Sequence, residues 1–381
     1  MKVLIVGGGI GGLALAGFLK QKSIDCVVIE KCKQWRTIGY ILALAPVAVK
    51  QINALGASAV LANSAKVQGH IIKNASDKVI LEKSFDVYEK KYGPTCEVER
   101  EELHKTLREV NKDTEIRMNT TIAALDETSE GVNVTFSDGK KEQFDIVVGA
   151  DGINSQLRSM IQPKATTDYS GATFWFMWVP KVTKIESIVN YIGEGQLVGL
   201  YPCKKRDKMC VLFMVPRKQH SITDPKESIP FLKSHFRNMK GHVPTVLEHL
   251  PAEPDAMYHH DDDEVHLRNW YKGRIVLLGD AVHALSPVFG LGAAMALEDA
   301  AVLSEELARC DNHTAAFENY KQRRFPRVHK IATMSREVHA LFRLYEVPLL
   351  KKLLYKCTIP FASRFFKKYY KNVNTFFQDD I

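Results

Sequence analysis

The sequence predicts an α/β protein: a Rossmann-like nucleotide-binding domain, discontinuous along the chain, with an inserted β-rich domain and C-terminal helices. Three observations predict it. A glycine-rich strand–turn–helix pattern occupies residues 3–19. Two more buried-strand patterns, at residues 144–148 and 273–278, each run into a loop carrying Gly and Asp. Between them, from Ala165 to about Pro216, the texture becomes aromatic and β-rich.

The first element is the most informative. The apolar run Val3–Val6 is followed at once by Gly7-Gly-Gly9-Ile10-Gly11-Gly12, and then by Leu13-Ala-Leu-Ala-Gly-Phe-Leu19 at helical spacing. A second apolar run, Cys26–Ile29, ends on Glu30. Gly7 permits the tight turn, Gly9 lets a pyrophosphate approach the backbone, and Gly12 allows close helix–sheet packing. The helix N-terminus offers unpaired N–H groups and partial positive charge, which suits phosphate. Glu30 is placed to accept hydrogen bonds from an adenosine ribose. The motif leaves NAD and FAD both open.

The 381 residues suffice for a sizeable core and two domains. With 45% hydrophobic and 25% charged residues, the composition is that of an ordinary globular protein. The net charge of +8 is compatible with anionic cofactors, a membrane surface or neither, and nothing points to nucleic acid. Seven scattered cysteines without a C-x-x-C pair read as reduced thiols of a cytoplasmic protein, not as a disulfide framework or a zinc site. Met1-Lys2 runs straight into the first strand, so no signal peptide is expected. No stretch of about twenty apolar residues calls for a membrane span.

Further along, residues 46–55 read as a short helix, and residues 67–81 as a hairpin turning at Asn74–Asp77. A helix is expected over Glu101–Val110, and strands over Glu115–Met118, Ile122–Asp126 and Val132–Phe136. Strands of the inserted region are expected at 173–179, 189–192, 197–201 and 209–215, then helices at 226–238 and 243–250, and a long helix at 293–309. Strands near residues 3, 27, 116, 146 and 276 would share one sheet. The expected nucleotide domain comprises residues 1–66, 95–164 and 265–313; residues 67–94 and 165–264 form the substrate domain, and 314–381 a helical segment.

Three motifs stand in order: Gly7-x-Gly9-x-x-Gly12 with Glu30; Asp145 through Asp151-Gly152 to Ser155 and Arg158; and Gly279-Asp280-Ala-Val-His283-x-x-x-Pro287-x-x-Gly290-x-Gly292, continuing to Glu298-Asp299. Together they resemble the class A FAD-dependent monooxygenases, the aromatic hydroxylase group that also holds the tetracycline-inactivating enzymes. The resemblance covers nearly the whole chain and implies FAD as cofactor, with NAD(P)H as a transient co-substrate. By position it implies FAD contacts at Gly7, Gly9, Ile10, Gly11, Gly12, Glu30 and Lys31, and at Arg36, Arg100 and Asp280. Pro287, Gly290, Gly292 and Ala293 would lie beside the flavin ring, with Gly279 preceding Asp280 and His283 near the flavin. Asp151 and Arg158 match a motif linked with both FAD and NAD(P)H. The chain departs from the pattern at Leu291-Gly292-Ala293-Ala294, where the family usually has Gln-Gly-x-Asn. The asparagine amide is gone, while the backbone contacts of a glycine loop remain.

The reaction the resemblance implies uses NAD(P)H and O2 through a C4a-hydroperoxyflavin to hydroxylate an aromatic or polyketide-like molecule, of which a tetracycline-type antibiotic is one example. A flavin-dependent reductase, or a flavin-binding protein without oxygenase turnover, is the alternative. Trp175, Met177, Phe213 and Pro287 are candidate pocket walls, together with Phe174, Phe176, Trp178 and Met214; by alternation only one face of a strand can look into the pocket. His259-His260-Asp-Asp-Asp263-Glu264 has the composition of a metal cluster but not the spacing, so a solvated acidic turn is expected and no metal. The basic, apolar tail at 341–377 reads either as a peripheral helix on an anionic membrane or as helices packed across the domains. The sequence leaves monomer and dimer open.

Overall fold

The computed structural model describes residues 1–35, 39–204, 207–219, 224–252 and 257–345, and positions 357, 361, 363, 364, 366, 367, 370 and 371. Four sheets organise the described chain. The central one has six strands in the order Tyr271–Lys272, Ile275–Leu277, Ile146–Gly149, Lys2–Val6, Asp25–Glu30, Glu115–Met118. All its neighbours pair in parallel except the Tyr271–Lys272 edge. This is the sheet predicted from the five apolar runs, gathered from distant parts of the chain. Its inner strands are apolar on both faces because helices cover both sides.

The first helix, Ile10–Gln21, buries a continuous run from Gly12 to Leu19. It packs against Gly292–Arg309 on one side and Arg100–Val110 on another. Gly12 is a packing necessity: a Cβ there would lie 2.0 Å from Gly7 O. Gly7 itself has φ +111°, a conformation that L side chains rarely adopt.

A seven-stranded sheet forms the second layer, in the order Met257–Glu264, Asp168–Pro180, Lys208–Pro216, Gln196–Tyr201, Ile188–Gly193, Gly69–Asn74, Val79–Ser84. The early hairpin thus completes a sheet whose other strands lie more than a hundred residues later, through parallel pairing of Gly69–Asn74 with Ile188–Gly193. One face of this sheet is closed by the helices Pro225–Phe236 and Val243–Glu248. The other face looks back toward the nucleotide-binding half, where Phe174, Leu212 and Met214 meet Val338 of the last long helix, His313–Tyr345. A small sheet, Ile41–Leu44, Cys96–Glu99 and Ala65–Lys66, lies between the two halves, and an antiparallel ribbon, Ile122–Phe144, flanks the central sheet.

Two sequence expectations are corrected here. The acidic segment from His259 is not a solvated turn. It is the edge strand Met257–Glu264, paired antiparallel with Asp168–Pro180, and Asp262 and Glu264 are buried. Its strand character was hidden because its buried polar groups are satisfied by a neighbour, with Ser286 Oγ donating to Asp262 at 2.6 Å, not by apolar packing. Trp175, Met177 and Phe213 are not pocket walls. They face the helix-covered side, fully buried with Leu232 and Phe236, and Trp175 Nε1 donates to Ser228 Oγ at 3.1 Å. Both faces of the strand are apolar, so alternation separates them without saying which one the helices cover.

The tail lies largely outside the described residues. At Tyr370 it packs on the early hairpin, with its ring 6.0 Å from His70 and 6.3 Å from Phe85. Among the described residues no helix is long and apolar enough to cross a membrane.

Candidate active site

The carboxyl ends of the parallel strands deliver their loops to one edge of the central sheet, the place where open α/β sheets bind ligands. Val6 leads to the glycine turn, Glu30 ends the second strand, Gly149 leads to Asp151, and Leu277 to Gly279-Asp280. Sequence-distant motifs are brought together by parallel pairing alone.

The first helix begins at Gly9 with no side-chain cap and no acidic residue in its first turn. A Cβ built on Gly9 would meet nothing within 4 Å. The first-turn N–H groups therefore face open space, a geometry that accepts an anion. The Gly292–Arg309 helix starts in the same way, without a side-chain cap or acidic first turn, and Gly292 also borders open space. Two helix N-termini thus aim partial positive charge into the same half of the molecule.

Glu30 is half-buried, and its carboxylate accepts the N–H of Gly8 at 2.9 Å and of Cys32 at 2.9 Å. Burial works against ionisation, but these backbone donors outweigh it and hold the carboxyl below its usual range. Trp35 lies over Gly8, in edge contact with His104 at 5.0 Å and under the Arg108 guanidinium at 5.3 Å. His104 Nε2 lies 2.8 Å from Gly8 O. A groove of about 540 Å³ opens beside Trp35, lined by Lys105, Arg108 and Met118 among others.

At the other end, Asp280 is the first residue of a short helical turn, Asp280–His283. Asp280 is solvent-exposed, yet protein encloses it closely enough that burial pushes its carboxyl up, against the pull of His283, His260 and Arg100. Beside it stands an aromatic group from three separate elements: Tyr40 lies 5.2 Å from Phe176 and 5.1 Å from Tyr258, and Tyr258 stacks 6.1 Å from His260. The Arg100 guanidinium sits 5.9 Å from the Tyr40 ring. Burial raises the phenols of both Tyr40 and Tyr258, that of Tyr40 well above its ordinary value, so both stay neutral. Trp178 Nε1 donates to Gly39 O at 2.9 Å, tying the seven-stranded sheet to the segment that precedes the small sheet.

Not every predicted site residue comes to this cleft. Arg158 is buried and its guanidinium is engaged by the carbonyls of Ala281 (3.1 Å) and Ile153 (2.6 Å), so it clamps the second motif to the third. His283 turns into the core, with Nε2 2.5 Å from Asp299 Oδ2 and its ring 5.3 Å from Trp270. Asp151 uses Oδ2 to take the N–H of Leu157 at 3.1 Å, while its buried Oδ1 has no partner. Gly279 is fixed by donation to Asp299 Oδ2 at 3.0 Å. Ile10, Gly11 and Ala293 lie in the first turns of their helices and Lys31, Pro287 and Gly290 in loops or a short turn, and Arg36 lies outside the described residues. Sequence reasoning did not single out Tyr40 or Tyr258. Tyr258 lies in the strand misread as a turn, and Tyr40 sits in a segment whose apolar pattern was read only as structure. Among the described residues no group of three His, Cys, Asp or Glu side chains could hold a metal ion.

The fold and this cleft define a class of protein: a dinucleotide-binding α/β protein with an aromatic cleft beside the third glycine motif. The chain matches the FAD binding domain family over residues 1–335 and belongs to that family, as an FAD-dependent aromatic monooxygenase. It is 30% identical over 311 residues to the 2-heptyl-3-hydroxy-4(1H)-quinolone synthase of Pseudomonas aeruginosa, covering 80% of each chain. The structure is similar to that of Klebsiella pneumoniae HpxO complexed with FAD and uric acid (25% identity, TM-score 0.84, 94% of this chain and 92% of that one). It is also similar to tetracycline destructase Tet(55) (26% identity, TM-score 0.73, 89% of each). FAD is the cofactor, and NAD(P)H is the reductant typical of the family.

Proposed function

We propose that the protein hydroxylates a flat aromatic or polyketide-like small molecule held against Tyr40, Phe176 and Tyr258. The observation that carries this reading is that aromatic group, set beside Arg100 and Asp280. Aromatic walls favour a planar, apolar substrate through stacking and area burial.

The residues fit FAD. The uncapped helix start at Gly9-Ile10-Gly11 would take the pyrophosphate, with Gly7 and Gly12 shaping the turn, Glu30 and Lys31 facing the adenosine, and Arg100 adding positive charge. Asp280 would bond the ribityl chain. The Gly292–Arg309 helix start, with Pro287, Gly290 and Ala293, would place N–H groups and partial positive charge against the ring. The unpartnered Oδ1 of Asp151 would accept a hydrogen bond from the cofactor side. Bound there, FAD supplies the chemistry by which NAD(P)H and O2 place one oxygen atom on the substrate. The protein's own residues bind and orient: the aromatic group excludes water from the substrate, and Tyr40 and Tyr258, kept neutral, present O–H donors.

The 4-quinolone, uric acid and tetracycline of the relatives' names define a substrate panel. The test measures NAD(P)H oxidation and O2 uptake by the FAD-loaded protein with each compound, and product mass. Stimulated oxidation with a product heavier by one oxygen is the expected result. Substrate reduction without O2 uptake would replace the proposal with the reductase reading.

A further inference from the structure

Cross-strand partners in an antiparallel sheet share a face. In the small sheet, Leu42, Leu44, Cys96 and Val98 point into the core of the nucleotide-binding half. Ile41, Ala43, Glu97 and Glu99 therefore share the opposite face. Ile41 packs there with Cys203 and Cys210, against Tyr40, Phe176 and Trp178 of the aromatic cleft. Ala43, the direct partner of Glu97, is also the neighbour of Gly290: a Cβ built on Gly290 would lie 4.0 Å from Ala43 Cβ. Glu97 thus stands between the proposed flavin-side loop and the aromatic wall.

Its state is unusual. Glu97 is 3% exposed, and neither carboxyl oxygen has a hydrogen-bond partner among the described residues. Burial pushes its carboxyl well above the carboxylate range, and no cation among the described residues offsets that. Other buried acids here are engaged: Glu298 and Asp299 by Arg324, Glu306 by Arg323. A buried acid that stabilised the fold would have such a partner.

We propose that Glu97 is a specificity-determining residue that hydrogen-bonds a polar edge of the aromatic substrate. The inference rests on the aromatic-substrate reading above. A neutral carboxylic acid offers one O–H donor beside one C=O acceptor. The complementary edge carries an N–H or O–H next to a carbonyl, as in a cyclic amide or a hydroxy-carbonyl. Substrates lacking that edge leave the acid unpaired and are rejected, which is how a buried polar group discriminates.

The test uses FAD-loaded protein and two probes of similar size, 2-quinolone with a cyclic amide edge and quinoline without one, with binding read from the flavin absorbance change. Wild type should bind 2-quinolone at least tenfold more tightly than quinoline. Glu97→Leu should erase that preference while FAD affinity holds and the melting temperature holds or rises. Glu97→Gln, whose amide keeps a donor and an acceptor, should retain most of it. Undiminished preference in Glu97→Leu would overturn the proposal. If Glu97→Leu does not fold, infrared difference spectra of wild type against Glu97→Gln decide: a protonated-carboxyl band that shifts on adding 2-quinolone supports the proposal, and an unmoved or absent band overturns it. Turnover of aromatics with and without the edge at equal KM would leave the hydroxylase reading standing and end this one. Failure of every aromatic in the panel to stimulate NAD(P)H oxidation would end both.

Discussion

Arg324 donates from Nε to Asp299 Oδ1 at 2.8 Å, and both side chains are fully buried. Asp299 uses its other oxygen to hold Gly279 N–H and His283, the residues on either side of the Asp280 corner. Arg324 also engages Glu298, which Arg327 approaches as well. The last long helix therefore sets the position of Asp280 through one buried charge network. Arg324→Met should destabilise the protein by about 3–5 kcal/mol, the usual cost of leaving buried charge unpaired. FAD affinity should fall with it, because Gly279-Asp280 loses its anchor. Urea denaturation and FAD fluorescence titration of the same preparation check both.

The same network gives a pH signature. Burial raises the Asp299 carboxyl, but His283 and Arg324 overcome that and bring it down to about 2, below the ordinary carboxylate range. A depressed carboxyl stabilises the fold above its unfolded pKa and loses that contribution as pH falls through the folded one. The window is therefore about pH 4 down to about pH 2, and the amount is about 2 kcal/mol. Urea melts between pH 5 and pH 2.5 should show stability falling more steeply with acid in wild type than in Asp299→Asn.

Two glycines of one motif should behave oppositely. Gly12→Ala places a methyl 2.0 Å from Gly7 O and should prevent folding or lower Tm sharply. Gly9 has φ −76° and open space around its Cβ, so Gly9→Ala should fold with Tm nearly unchanged. It should nevertheless weaken FAD by tenfold or more, since the methyl intrudes where the pyrophosphate approaches. Differential scanning fluorimetry with and without FAD separates the two.

Neighbours on one strand should separate in the same manner. Trp175→Ala empties the helix-covered core and should cost about 3–5 kcal/mol. Phe176→Ala, half-buried at the cleft, should cost less stability and raise KM for the aromatic substrate several-fold. Equal effects of the two on KM would contradict the assignment of faces.

Much of this protein was legible in its order of residues. The glycine turn, Glu30, the Asp151 loop and the Asp280 loop follow strands that are apolar throughout, and such strands belong in a parallel sheet whose loops converge at one edge. That logic is local and periodic, so sequence alone carries the central sheet, a dinucleotide site and the cleft edge, while the choice of FAD came from the family resemblance. Tertiary structure decided the rest. Trp175 and Phe176 are equally aromatic, and only the helix Pro225–Phe236 closing one face determines which of them meets the substrate. Arg158 and His283 sit inside binding motifs, yet packing turned both inward to backbone carbonyls and to Asp299. Glu97 carries no sequence signal at all. Its neighbours come from strands far apart in the chain, and a lone buried carboxyl is recognisable only once the side chains that fail to pair with it are in place.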